Sequence, residues 1–313
     1  MSSPLRLLYW IVVAVLAAGM GTGACGAERS EQALEDLGRA LFHDVNLSAS
    51  RSQSCATCHD PAHGFSDARD NGVGAALSRG ADGKSLGDRN APTTAYAALI
   101  PPLTRDAGGE YQGGPFHDGR ARDTAEQAGQ PTLNPLEMQM PSAAAVVARV
   151  RENPAYVAAF TAHFGADLFA DDEAAFKAIR EAIAVFERSP AMLAFDSRYD
   201  RYLRGEVKLT ADEDQGRVLF FSSLTNCTSC HLLETTHLAS RETFSSYRYF
   251  NIGLPANHAA RAVNGRAGTV DRGLAANPTV NDERQVGKFR VPTLRNVAVT
   301  APYMHNGVFR DLH

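Results

Sequence analysis

Two pentapeptides constrain this chain more than anything else in it: Cys55-Ala56-Thr57-Cys58-His59 and Cys227-Thr228-Ser229-Cys230-His231. Each has the Cys-x-x-Cys-His spacing of a c-type haem attachment site. The two thiols can each add to one vinyl group of a porphyrin, and the next residue can turn its imidazole onto the iron. Paired cysteines can also build tetrahedral zinc sites, but zinc modules hold their pairs closer than Cys55 stands to Cys227. A thioredoxin-type dithiol would need a βαβ setting, which neither motif has. The spacing therefore points to two covalent haems, with His59 and His231 as iron ligands.

The remaining cysteine agrees with an exported product. The chain has 5 Cys; four serve the two motifs and Cys25 lies near the N-terminus, so no pair is left for a structural disulfide. Residues 1–27 read as a signal peptide: Arg6 is the positive start, Leu7 to Met20 is an apolar run too short to span a bilayer, and small residues follow. Thr22-Gly23-Ala24-Cys25 resembles a lipobox that would place a lipid anchor on Cys25, although Thr22 stands where leucine is usual. Cleavage near Ala24 or Ala27 is the alternative. Either way the expected location is periplasmic. Lys and Arg number 31 against 35 acids, a formal net charge of −4, which gives no nucleic-acid footprint.

Local signals predict a mainly α fold. Helices are expected over Ser30 to Phe42, Asp123 to Gly129 (stopped by Gly129 and Pro131), and Ser142 to about Arg151. Further helices are expected from Asn153-Pro154 to Gly165 and from Asp171 to Arg188, the last with Phe176, Ile179, Ile183 and Phe186 on one stripe. Asp196 to Lys208 reads as a linker, and Thr210-Ala211-Asp212-Glu213 as a capping box. Asp60 to Gly114 is dense in Gly, Pro, Asn and Asp and reads as long loops, which a buried porphyrin would order. Gly38-Arg39-Ala40-Leu41-Phe42 before the first motif is echoed by Gly216-Arg217-Val218-Leu219-Phe220 before the second. The chain thus divides into a first haem domain, residues 28–195, and a second, residues 196–313.

Around the motifs, further words can be read in order. They are Leu41-Phe42-x-Asp44, Leu47-Ser48, Gly64-Phe65-Ser66-Asp67, Arg89-Asn90-Ala91-Pro92-Thr93 and His117-Asp118-Gly119-Arg120. Asn134-Pro135-x-Glu137-Met138, Val291-Pro292-Thr293-Leu294-Arg295-Asn296 and Ala301-Pro302-Tyr303-Met304-His305-Asn306-Gly307 follow. By these the chain resembles the bacterial di-haem cytochrome c peroxidases, and more closely their MauG branch. The resemblance implies two cytochrome c-like haem domains with long loops. It implies reduction of hydrogen peroxide at the first haem, with electrons delivered through the second. Those electrons would come from a small cytochrome c or cupredoxin, or from a residue of a partner protein as in MauG-like oxidation. A non-catalytic di-haem electron-transfer cytochrome is the competing reading.

The resemblance also assigns residues. Gln127, Pro131 and Glu137 match the lining of the peroxide pocket; splitting an O–O bond heterolytically needs a group to carry a proton between the two oxygens, which a carboxyl can do. Asn90, Thr300 and Pro302 match a calcium site of hard oxygen donors. Three departures stand out. Lys84 to Asp88 lacks the removable distal His of the classical peroxidases, and His63 is too close to the attachment site to replace it. His117 stands where the family has Trp, so transfer between haems would be direct or helped by a tyrosine such as Tyr249 or Tyr303; His117 is then either a relay or a hydrogen-bonding core residue. The distal ligand of the second haem would fall after His313, so the chain reads as C-terminally truncated, with Met304 and His305 belonging to the motif itself. A haem stain of the denatured protein should be positive, and a negative stain would return the motifs to zinc.

Overall fold

Asp and Ser caps set where the helices begin. The computed structural model describes residues 30–232 and 241–312. The expected signal segment with Cys25, and His313, lie outside the described residues. The first helix, α1, covers residues 30–42 and buries Leu34, Leu37, Leu41 and Phe42. The motif helix α2, Cys55–Cys58, starts where Thr57 Oγ1 accepts the Ser54 N–H at 2.9 Å. Asp123 caps α3 (Thr124–Leu133) through the Glu126 N–H, Ser142 caps α4 (Ala143–Arg151), and Asn153 with Pro154 opens α5 (Pro154–Phe164). Asp171 caps α6, Asp172–Glu187, the longest helix among the described residues.

The main core forms where α1, α3 and α4 meet α6. Phe176, Ile179, Ile183 and Phe186 of α6 are all buried there, as their spacing predicted. Helix α1 crosses α6 at Gly38, where a Cβ would fall on the Ala182 carbonyl. Phe42 then meets Phe186 edge to face at 5.2 Å. These contacts fix the short segment that leads from α1 into the first motif.

One boundary differs from expectation. Helix α3 runs on through Gly129 and Pro131 to Leu133. Gly129 has no side chain to keep α6 away, since a Cβ there would meet Arg180 and Phe176. Packing against α6 thus outweighs the local stop signal. The carbonyl of Pro131 accepts from Asn134 and Met138, so the helix end turns directly into the Asn134-Pro135-x-Glu137 loop.

The second half is sparser. It holds α7 (Arg198–Leu203), α8 (Ala211–Phe220) and α9 (His258–Val263). Thr210 and Glu213 cap α8 reciprocally, as the box predicted. No residue of α8 is buried, however, and Val218 is 52% exposed. The repeated glycine shows the asymmetry: nothing approaches Gly216 within 4 Å, whereas Gly38 is crowded.

The loops are long, as read, and are held by short pairings. Strand β1 (Thr104–Arg105) pairs antiparallel with β2 (Tyr111–Gln112), and β3 (Tyr249–Phe250) with β4 (Phe289–Arg290), Tyr249 opposite Arg290. Tyr249 donates its hydroxyl to the Gly113 carbonyl at 2.7 Å, which ties the two halves of the chain together. No helix among the described residues is long and apolar enough to cross a membrane. Replacing Gly38 by Ala tests the α1–α6 crossing. Helix propensity favours Ala by about 1 kcal/mol, but overpacking costs about 1–3 kcal/mol; chemical denaturation should show a net loss of stability, and a gain would contradict the crossing.

Candidate functional site

The two motif histidines are held in the same way. Nδ1–H of His59 donates to the Phe65 carbonyl at 3.1 Å, and Nδ1–H of His231 to the Phe244 carbonyl at 3.1 Å. Each bond fixes the tautomer and leaves Nε2 with its lone pair free for a metal. Both carbonyls are presented from phenylalanines in the left-handed region, at φ 60° and 54°. A bulky residue there is strained, and a threonine braces each loop. Thr93 Oγ1 donates to the Gly64 carbonyl and Thr293 Oγ1 to the Thr243 carbonyl, both at 2.6 Å. The backbone N–H two residues on returns to each threonine hydroxyl at 3.0 Å. The repeat thus extends to Pro92-Thr93 and Pro292-Thr293, a correspondence that the sequence reading did not draw although the matching dipeptides were its signal.

The surroundings of the first pair of thiols suit an uncharged sulfur. All four motif cysteines are free. Burial pushes Cys55 up to about 12 and Cys58 up to about 11, so both stay neutral thiols. Zinc would require thiolates, and among the described residues no three His, Cys, Asp or Glu side chains gather as a metal site. A neutral thiol that becomes an uncharged thioether suits these surroundings.

A cavity of about 480 Å³ opens over the first motif. Cys55, Cys58 and His59 line it, and so do Gln127, Pro131 and Glu137 from α3 and the loop behind it. Asn134 aims the carboxyl, donating Nδ2–H to Glu137 Oε1 at 2.8 Å. Burial raises Glu137 above the usual carboxylate range, while Arg120 and Asn134 pull the other way. His63 stays outside this lining, paired at the surface with Asp60 at 2.9 Å.

One lining acid was missed by the sequence reading. Glu187 ends α6 on the buried stripe, one turn beyond Ile183; it is 2% exposed and its Oε2 has no hydrogen-bond partner. An acid in phase with Phe176, Ile179 and Ile183 was the available signal.

His117 and Asn90 also line the cavity, and they touch. His117 Nε2–H donates to the Asn90 carbonyl at 3.0 Å. Burial, then the charge of Arg89, pushes His117 down to about 3, so it is a neutral imidazole at any ordinary pH. The Asn90 amide donates to the Ala75 and Ala76 carbonyls at 3.4 Å each, which leaves Oδ1 as its free donor atom for a cation. Thr300 and Pro302 lie outside the cavity lining; Thr300 instead packs beside Gly64. His305 is stacked on Phe289 with ring centres 3.4 Å apart, and Met304 is 41% exposed. Tyr303 donates to the Val297 carbonyl at 2.9 Å.

Arg89 joins the halves beside this cavity. It holds Asp118 at 2.7 Å and grips Asp271 through two bonds of 2.8 and 2.7 Å. Burial opposes ionisation of both acids, yet Arg89 keeps each below the usual carboxylate range.

Comparison with known proteins gives consistent relatives. The family model described as di-haem cytochrome c peroxidase matches residues 32–208. The methylamine utilization protein MauG of Paracoccus denitrificans is 51% identical over 98% of this chain and 79% of its own. Cytochrome c551 peroxidase of Pseudomonas aeruginosa is 33% identical over 92% of this chain and 71% of its own. The cytochrome c peroxidase Ccp of Escherichia coli is 32% identical over 87% of this chain, which spans only 49% of that protein. Among solved structures, the diheme peroxidase BthA of Burkholderia thailandensis superposes with a TM-score of 0.82 at 34% identity, covering 89% of this chain and 69% of that one.

Removing Arg89 should break the link between the halves and leave Asp118 to Arg120 alone, at 2.9 Å, and Asp271 to Arg261, at 3.4 Å. Arg89→Ala is expected to cost about 3 kcal/mol of unfolding free energy, the low end for a broken buried pair because each acid keeps a second arginine, and Arg89→Lys should recover little of it, because a point charge cannot repeat the forked contacts. A loss under about 1 kcal/mol would show the bridge to be superficial.

Proposed function

Because this chain belongs to the di-haem cytochrome c peroxidase family, we propose that it reduces hydrogen peroxide in the cavity over Cys55, Cys58 and His59. The observation that carries this reading is Glu137, a half-buried carboxyl held by Asn134 in the wall of the cavity that the motif lines. Haem bound at the first motif supplies the iron at which peroxide is reduced, and haem at Cys227, Cys230 and His231 supplies the electron port. The chain's own residues supply the rest. Nε2–H of Gln127 donates a hydrogen bond to the bound peroxide. Glu137 takes the proton from the near oxygen and delivers it to the far one, so that the far oxygen leaves as water. Pro131 shapes the wall between them and offers no competing N–H.

The electrons come from a one-electron donor, either a small cytochrome c or cupredoxin or a side chain of a partner protein. The 51% identity to a MauG protein, together with the lack of any His from Lys84 to Asp88, supports the second, MauG-like oxidation. Calcium at Asn90, Thr300 and Pro302 belongs to the same proposal, supported by the free Oδ1 of Asn90 and by the preference of calcium for hard oxygen donors. So does a periplasmic location, supported by the leader-like segment and by the haem motifs. A purely electron-transferring cytochrome would leave Gln127 and Glu137 without a task.

Glu137→Gln tests the assignment. It should keep both covalent haems, read by stain, and lower peroxide turnover by at least about 100-fold, the usual scale of general acid–base catalysis. Unchanged turnover in a fully haem-loaded variant would remove Glu137 from the mechanism.

A further inference from the structure

Glu187 is the buried acid in the cavity wall that the reaction above does not use. Three other buried acids are paired with arginines: Asp67 with Arg69, Asp118 with Arg89, and Asp200 with Arg295 at 2.6 and 2.9 Å. Glu187 is in no ion pair among the described residues, and its Oε2 accepts no hydrogen bond from any of them. Leaving a buried carboxyl oxygen unpaired is costly, so its neighbours matter.

Those neighbours offer little compensating charge. Arg188, next in the chain, is the one cation that draws Glu187 down. From α1, Arg39 lies over the Phe186 ring at 5.3 Å but pairs with Glu35, and His43 is tilted against the same ring. From α3 and α4 the buried residues are Ala128, Gly129 and Thr132, and Val146, Val147 and Val150, none of them charged. The other carboxyls of the cavity lining are Asp88, Asp118, Glu137 and Asp271; Asp118 and Asp271 are held by Arg89, and Glu137 answers to Arg120, Asn134 and Asp88. The Glu187 charge, after burial, disfavours ionisation of Cys55. As a thioether Cys55 would not titrate at all. Burial therefore dominates and pushes Glu187 up to about 8.

We propose that Glu187 is the redox-linked proton site of the first haem, binding a proton when an electron enters that site and releasing it when the electron leaves. The proposal rests on haem being attached at Cys55 and Cys58. An added electron places negative charge in the same dry enclosure as the carboxyl, where charges interact far more strongly than in water. The buried acid with no ion pair and an unpaired oxygen is the one placed to respond. A more positive oxidised centre draws its ionisation down, reduction lets it rise, and the elevated starting point sets that interval across neutral pH. The balance is that of the reaction: hydrogen peroxide, two electrons from the one-electron donor and two protons give two waters as the O–O bond breaks. Glu187 lets one of those protons arrive with its electron.

The test is the reduction potential of the first haem in the purified di-haem protein, measured spectroelectrochemically from about pH 6 to about pH 9. In the wild type the reduction equilibrium should weaken with rising pH by up to tenfold per unit, which is 59 mV for a one-electron couple. Glu187→Gln should flatten this dependence, Glu137→Gln should keep it, and the second haem should not change in either. Equal slopes in wild type and Glu187→Gln overturn the proposal, as does a slope lost only in Glu137→Gln. Should Glu187→Gln not fold, the wild type still answers. Its reduced-minus-oxidised infrared spectrum should gain a carboxylic acid C=O band, and absence of that band overturns the proposal. Loss of covalent haem by the stain would fail the underlying reading instead, and is a separate result.

Discussion

An imidazole can serve a metal only if one nitrogen is protonated and anchored while the other is bare, and here a backbone carbonyl meets that condition twice. His59 is anchored on Phe65 and His231 on Phe244, at the same distance. Neither carbonyl would face its histidine if the chain ran in an ordinary conformation, because both phenylalanines sit at positive φ. Strain of this kind costs of order 1–3 kcal/mol per residue. Thr93 and Thr293, each accepting one N–H and donating one O–H, are positioned to offset it.

From this follows the layout of the first site. The helix pair α1 and α6 can approach only because Gly38 is bare, and that approach delivers the chain to Cys55 at the cavity wall. On α3, Gly129 plays the corresponding part against α6 and so places Gln127 and Pro131 in the same wall. Between the halves, Leu103 and Tyr111 pack against a small apolar cluster of Tyr249, Leu274 and Val280, and arginines fix the rest of the second half to it. Arg89 bridges Asp118 and Asp271, and Arg295 pairs with Asp200 while its guanidinium lies 4.4 Å over the Phe195 ring. Such buried pairs fix geometry more than they add stability, which suits a protein that must hold two sites in register.

Much of this was legible beforehand. Helix starts were readable because Ser142, Asn153, Asp171 and Thr210 satisfy orphan N–H groups by local chemistry. The stripe of α6 was readable from its period. The end of α3 was not, because Gly129 acts there as a contact surface, a role visible only once α6 is in place. The haem motifs announced themselves by spacing, but the loops that orient them did not: the Phe65 and Phe244 carbonyls are backbone atoms with no side-chain signature. Glu187 was not legible because an acid in phase with Phe176, Ile179 and Ile183 interrupts the apolar pattern by which a buried face is recognised.

The central claim is that the first motif holds a haem whose remaining face is open to an oxidant. The electron paramagnetic resonance spectrum of the resting oxidised protein, with no reductant added, tests this most directly. The account predicts a high-spin ferric signal from the first haem. A spectrum with low-spin signals alone would contradict it, because the first iron would then be closed by a second protein ligand.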